Sequence, residues 1–241
     1  MTSFVLVHGA WHGGWCWQRV ARILRAAGHD VFTPTLTGLG ERAHLLGPSI
    51  SLDTHVQDIL GVLFYEDLHD VVLVGHSYAG MVISGVAEEA AARLRHLVYL
   101  DAFVPGHGQA LGDFVPSEVH DVFRESARLD GNGYGVPPLP GTYGVTSEDD
   151  LVWVRPRLGL HPIQTYFDPV RLSNPIASEI YRTYIYCVDP ALPPDEPRTF
   201  TQFADRLRAD PGWDYVELAT GHSAMITEPA LLSGLLLNLN G

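Results

Sequence analysis

Lysine is absent from this 241-residue sequence, and all 15 of its basic residues are arginine. That removes Schiff-base catalysis by lysine, a P-loop lysine and a lysine general base together. Positive charge is scarce as well. The net charge of −13 argues against a nucleic-acid or anionic-membrane partner, because both need a basic face. Cysteine is limited to Cys16 and Cys187, far apart, so no disulfide framework is indicated and both are expected to be buried packing residues. No apolar run reaches the roughly 18 residues of a membrane span. Met1, Thr2 and Ser3 lead straight into a strand, without a basic region or a cleavage site, so a cytoplasmic protein is expected. Also missing are a G-x-G-x-x-G after a strand, an H-E-x-x-H and a C-x-x-C. His8 and His12 are four apart, but Gly9, Gly13 and Gly14 break the helix that would present both to a metal. Cofactor-free and metal-free chemistry is what these absences leave.

What is present is a chain that is 46% hydrophobic and 18% charged, enough for one soluble α/β domain with a sizeable core. Val71 to Val74 is a continuous apolar run, as expected of a strand buried on both faces of a parallel sheet. Apolar residues at helical spacing follow it. Gly75 and Ala79 flank Ser77 where a nucleophile elbow, a strained strand-to-helix turn exposing a serine hydroxyl, leaves almost no room for side chains. The second glycine of G-x-S-x-G is Ala79 here, with Gly80 one place late. A plain helix cap at Ser77 is the competing reading.

Strands at Phe4 to His8, Val31 to Thr33, Val71 to Val74 and Leu97 to Leu100 alternate with helices, which specifies a parallel sheet with right-handed crossovers. The periodicity then stops. Residues 105–178 carry Phe114, Phe123, Tyr134, Tyr143, Trp153, Tyr166 and Phe167 among many prolines and glycines. They are expected to form a lid insertion between two core parts, 1–104 and 179–241. Its aromatics either line an apolar pocket or form the insertion's own core. Alternation resumes with Tyr181 to Val188, a helix from about Thr199, a strand at Tyr215 to Leu218, and a last helix opened by Glu228 and Pro229.

Ligands of open α/β sheets sit at the carboxyl ends of the strands. Ser77, the Gly9-Ala10 loop, Asp101, Asp189 and His222 all fall at such ends. A serine hydroxyl becomes a nucleophile when an imidazole takes its proton, and the imidazole needs a carboxylate to fix its tautomer. The order Ser77, acid, His222 is the order α/β-hydrolases use.

Three stretches carry a resemblance: Phe4-Val-Leu-Val-His-Gly-Ala-Trp-His-Gly-Gly-Trp-Cys-Trp17, the Val-Leu-Val-Gly-His-Ser that ends at Ser77, and Thr220-Gly-His-Ser-Ala-Met225. The chain resembles the α/β-hydrolase fold and, within it, the plant methylesterases, hydroxynitrile lyases and their bacterial esterase relatives. The resemblance implies a cofactor-free hydrolase of carboxylic esters with Ser77 as nucleophile, His222 as base, and the backbone N–H groups of Ala10 and Tyr78 as oxyanion hole. The lyases of the family place a threonine after the first histidine and a lysine after the catalytic one. Gly9 and Ser223 stand there, which matches the esterase branch. For the acid, Cys187-Val-Asp189 matches the plant members if one residue is deleted, keeping the step that leads to Pro193. Asp101 ends the strand after the elbow helix, as in other α/β-hydrolases and as the bacterial relatives' Leu-Asp-Ala-Phe stretch implies. Asp101 is taken ahead of Asp189, and both stay open. The expected ligand is a small apolar or aromatic ester. A lactonase, a disfavoured hydroxynitrile lyase and a non-catalytic small-ligand binder are the alternatives, and a homodimer is left open.

Overall fold

The computed structural model describes residues 1–141, 143–189 and 199–239. In chain order its elements are β1 (Ser3–Val7), α1 (Gln18–Ala26), β2 (Asp30–Phe32), α2 (Leu52–Tyr65), β3 (Val71–His76), α3 (Ala79–Ala90), β4 (Leu94–Leu100) and α4 (Ser117–Asp130). There follow β5 (Gly135–Val136), α5 (Glu148–Val154), β6 (His161–Pro162), β7 (Tyr181–Cys187), α6 (Thr201–Arg208), β8 (Asp214–Leu218), α7 (Ala224–Thr227) and α8 (Pro229–Leu237). Six strands form a parallel sheet in the order β2-β1-β3-β4-β7-β8, while β5 and β6 pair antiparallel by themselves.

Successive residues of a strand point to opposite faces, so each buried strand feeds two cores. Val5, Val7, Val71, Leu73, Leu97 and Tyr99 belong to one core, with α2 and α3. Phe4, Leu6, Val72, Val74, Val98 and Leu100 belong to the other, with α1 and α8. Covered on both faces, these strands are apolar without alternation. Helix α2 is capped at its start by Ser51, whose hydroxyl accepts the Thr54 N–H while the Thr54 hydroxyl accepts the Ser51 N–H, both at 3.2 Å.

Helices α4, α5 and α7 and strands β5 and β6 are absent from the sequence reading. Residues 117–130 form helix α4 on a short inward stripe, and only Phe123 and Ala127 of its 14 residues are buried. Helix α7 sits between the Gly221 loop and α8. Both cysteines are buried and free. Pro193, used above to place Asp189 in the plant pattern, lies outside the described residues. Among the described residues, no helix is long and apolar enough to cross a membrane.

Candidate active site

Ser77 follows the last residue of β3 directly, in the left-handed region at φ 55°, a conformation few residues other than glycine adopt. The turn is held from both sides. The Ser77 N–H donates to the Leu100 carbonyl at 3.2 Å, and the Ser77 carbonyl accepts from Gly80 at 3.1 Å and Phe103 at 3.2 Å. A methyl on Gly75 would come within 2.8 Å of the Ala79 carbonyl oxygen, and one on Gly80 would run into the Phe103 carbonyl. The close approaches of this elbow therefore fall at positions 75 and 80, and the Ala79 methyl is accommodated in the core.

Asp101 follows β4 in the same way, with φ 42°. Its N–H donates to the Ile185 carbonyl at 2.7 Å, and its Oδ1 accepts the Cys187 N–H at 3.3 Å. That leaves Oδ2, which meets Nδ1 of His222 at 2.7 Å. Nδ1 carries a single proton, so one carboxylate can take it, and here it is Asp101. Asp189 stands on the wall of the same cavity.

His222 is restrained on every side. Its ring stacks on Phe200, centroids 5.0 Å apart and planes 9° from parallel, and meets the tilted ring of His76 at 4.5 Å. Its carbonyl accepts Nε2–H of His76 at 3.0 Å, which fixes that neighbour's tautomer. Burial lowers the pKa of His76, and takes His12 down to about 4 and His8 to about 3. These rings are neutral, so a positive charge forming on His222 is opposed by no cation at His12 or His76 and is met by Asp101.

The β1 loop shows equal care in placement. A methyl on Gly9 would sit 2.9 Å from both Ser77 Cβ and His76 Nδ1, so glycine lets the loop reach the serine. Ala10 and Tyr78 line the cavity beside Ser77. Among the described residues, neither backbone N–H has a protein acceptor. Trp11 occupies the left-handed region at φ 62°, tied down by its indole N–H to the Val136 carbonyl and by its own carbonyl from the Gly159 N–H, each 3.0 Å. Beneath Tyr78, its hydroxyl donates to His55 Nδ1 at 2.8 Å, and His55 Nε2–H donates to the Thr37 carbonyl at 2.9 Å.

The cavity over Ser77 has a volume of about 480 Å³. Leu111, Val119, Phe123, Tyr143 and Tyr166, all from residues 105–178, line it. The other aromatics singled out in that stretch do other work. Phe114 packs on Phe203, Trp153 on Trp15, and Phe167 on His120. Cys187 is on the cavity wall, its thiol pushed up in pKa by burial and by the charges of Asp101 and Asp189. His8 and His12 form no metal pair. Leu36 N–H occupies Nε2 of His8, and Nδ1–H of His12 donates to the Ala10 carbonyl. Phe200, His76 and the Trp11 anchor were not assigned from sequence. His76 and Trp11 lie inside the motifs that carry the resemblance, whereas nothing marks Phe200.

The family model described as "Alpha/beta hydrolase family" matches residues 4–234. The chain belongs to the alpha/beta hydrolase family. Among its relatives in that family is a carbendazim hydrolyzing esterase of Nocardioides sp. (strain SG-4G), 43% identical, with 95% of this chain and 96% of the relative covered. Among solved structures, an extracellular alpha/beta-hydrolase from a Paenibacillus species matches with a TM-score of 0.82 at 24% identity, over 98% of both chains. The methylesterase MES16 of Arabidopsis matches with a TM-score of 0.77 at 25% identity, also over 98% of both chains. The alpha/beta hydrolase fold, with its mostly parallel sheet flanked by helices, is thus shared, and the esterase relatives support an ester hydrolase.

Proposed function

We propose that the protein is a serine hydrolase that cleaves small apolar or aromatic carboxylic esters through an acyl-enzyme. The observation that carries this reading is the 2.7 Å bond from His222 Nδ1 to Asp101, on a cavity that also exposes the strained Ser77 turn. In this mechanism Ser77 Oγ attacks the ester carbonyl carbon while His222 Nε2 takes the hydroxyl proton. The carbonyl oxygen becomes an oxyanion that accepts the Ala10 and Tyr78 N–H groups. Collapse of the adduct breaks the ester C–O bond, and the departing alcohol takes the proton from His222. Water then attacks the acyl-serine, giving its proton to His222, and the acid and Ser77 are released. Asp101 holds the imidazole tautomer throughout.

The residues of 105–178 that line the cavity support their role as a lid insertion. Their aliphatic and aromatic side chains favour neutral esters of modest size. Lactones undergo the same chemistry. Carbendazim, for which a relative is named, belongs in the substrate panel with p-nitrophenyl acetate and methyl esters.

Ser77→Ala tests the reading. It is expected to cut kcat on p-nitrophenyl acetate by about 10⁴-fold or more and to abolish fluorophosphonate labelling, with the fold intact. Full turnover in that variant would overturn the serine mechanism. Ligand affinity in the wild type without turnover or labelling would favour a pure binding role. A lyase needs a cation near the leaving cyanide, and Gly9 and Ser223 offer none, so no Ser77-dependent cyanide release from mandelonitrile is expected.

A further inference from the structure

The peptide of the His222 loop is touched by a part of the chain that contributes nothing to the sheet. Gly144, with φ 77°, lies flat against Gly221 and His222. A methyl on Gly144 would land on the His222 backbone nitrogen and within 2.6 Å of Gly221 Cα. From the opposite side, a methyl on Gly221 would come within 2.5 Å of Gly144 Cα. Next to this contact the Tyr143 carbonyl accepts the Ser223 N–H at 3.0 Å. The Tyr143 ring meanwhile packs on Trp11 at 5.6 Å and on His12 at 5.9 Å, so Tyr143 reaches the loop after β1 as well.

The other restraints on His222 act on its ring or its carbonyl: Asp101 on Nδ1, Phe200 and His76 on the ring, His76 again on the carbonyl oxygen. The contact with Tyr143 and Gly144 acts on the N-terminal side of the residue and on the peptide after it. Among the described residues, it adds to the restraints that fix where the imidazole stands. The absence of any side chain at 144 and 221 is what lets the two backbones meet.

We propose that Tyr143 and Gly144 form a strap that positions the catalytic histidine, making Gly144 a positioning residue of the hydrolytic reaction. The stretch from 105 to 178 therefore acts on the chemical step and does not only enclose substrate. The proposal rests on His222 being the base of the proposed esterase. A displaced imidazole loses its alignment with the serine hydroxyl, and a misplacement near 1 Å costs about 10²-fold in rate.

The test compares Gly144→Ala with Gly133→Ala in the full-length protein. Gly133 lies in the same stretch with φ 86°, and a methyl there meets nothing within 4 Å. The control therefore carries the backbone strain without the contact. Gly144→Ala is expected to lower kcat on p-nitrophenyl acetate about 10²-fold with KM within about threefold. The low-field proton resonance of the His222 Nδ1–H bonded to Asp101 is expected to shift or vanish. Gly133→Ala is expected to keep both wild-type kcat and the resonance. Wild-type kcat and an unmoved resonance in folded Gly144→Ala overturn the strap, as does an equal loss in the control. Should Gly144→Ala not fold, Gly221→Ala places a methyl in the same gap from the other side, and the same results decide. If Ser77→Ala were as active as the wild type, the esterase reading would fall. The resonance would then still report whether the strap holds His222.

Discussion

The cavity has a floor and a roof that are built on different rules. Its floor is the ends of β1, β3 and β4 with Asp189 and Phe200 beyond β7 and His222 beyond β8; Ser77 and Asp101 sit there at positive φ directly after buried strands and hydrogen-bond to neighbouring ones. The roof comes from residues 105–178, whose longest helix buries two side chains and whose strands pair only with each other. On the floor the Ser77 turn and the Asp101 carboxylate are aimed by hydrogen bonds to neighbouring strands, and a shift of one strand would move them. The roof presents aliphatic and aromatic surface, for which shape matters more than direction. On the proposed function, the difference assigns chemistry to the sheet and selectivity to the segment above it. The Tyr143 and Gly144 strap is the place where the two meet.

Exchanging the two aspartates breaks that comparison most sharply. Asp101→Asn removes the acceptor that fixes the His222 tautomer and is expected to cost up to about 10⁴-fold in kcat. Asp189→Asn is expected to stay within about tenfold of wild type, because the single Nδ1 proton is already committed to Asp101. Steady-state kinetics of the two purified variants check this, and the reverse ranking would move the acid to the end of β7.

Acid gives the next largest effect, and it falls on the floor. His8, His12 and His55 are buried, with pKa values lowered to about 3, 4 and 4 by desolvation. Unfolded, each titrates near 6.5, so between those values the unfolded chain binds protons that the folded chain refuses. Their contribution is complete above pH 6.5 and is lost as pH falls towards 4, by about 1.4 kcal/mol per pH unit for each histidine. Urea midpoints measured from pH 7.5 to 4.5 are expected to fall steeply below 6.5. A flat profile would mean that these rings take up protons in the folded state.

The smallest effect belongs to the roof. Phe123, on the cavity wall and packed on Tyr166 with centroids 4.7 Å apart, is expected on change to alanine to raise KM for an aryl ester about tenfold, leaving kcat within about threefold. A kcat loss matching that of the floor variants would erase the division between the two.

The same division decides how much was legible in the sequence. Strands β1, β3 and β4 announce themselves as apolar β-branched runs, because both faces of each are covered, and the loops at their ends follow from the fold. Ser77, Asp101, Asp189 and His222 could be named for that reason. Helix α4 was not, since its inward stripe of Val119, Phe123 and Ala127 is short and only the last two are fully buried. Nor could Phe200, whose stacking on His222 depends on how distant loops pack, or the sorting of the aromatics, of which Trp153 faces Trp15 and Arg19 instead of the cavity. Periodicity reports which side of an element is buried. It does not report against what.

One pairing also sets a clock on the protein's maturation. Asp101 and His222 stand 121 residues apart in the chain, and between them come β7 and β8, which must add side by side to β4 before the two can meet. Parallel pairings of such long sequence separation are slow steps in folding. The serine turn needs only β3, β4 and the chain just beyond them, so it can form while the imidazole is still unattached. During refolding, esterase activity is therefore expected to lag behind the burial of tryptophan near β1, and that lag times the completion of the sheet edge.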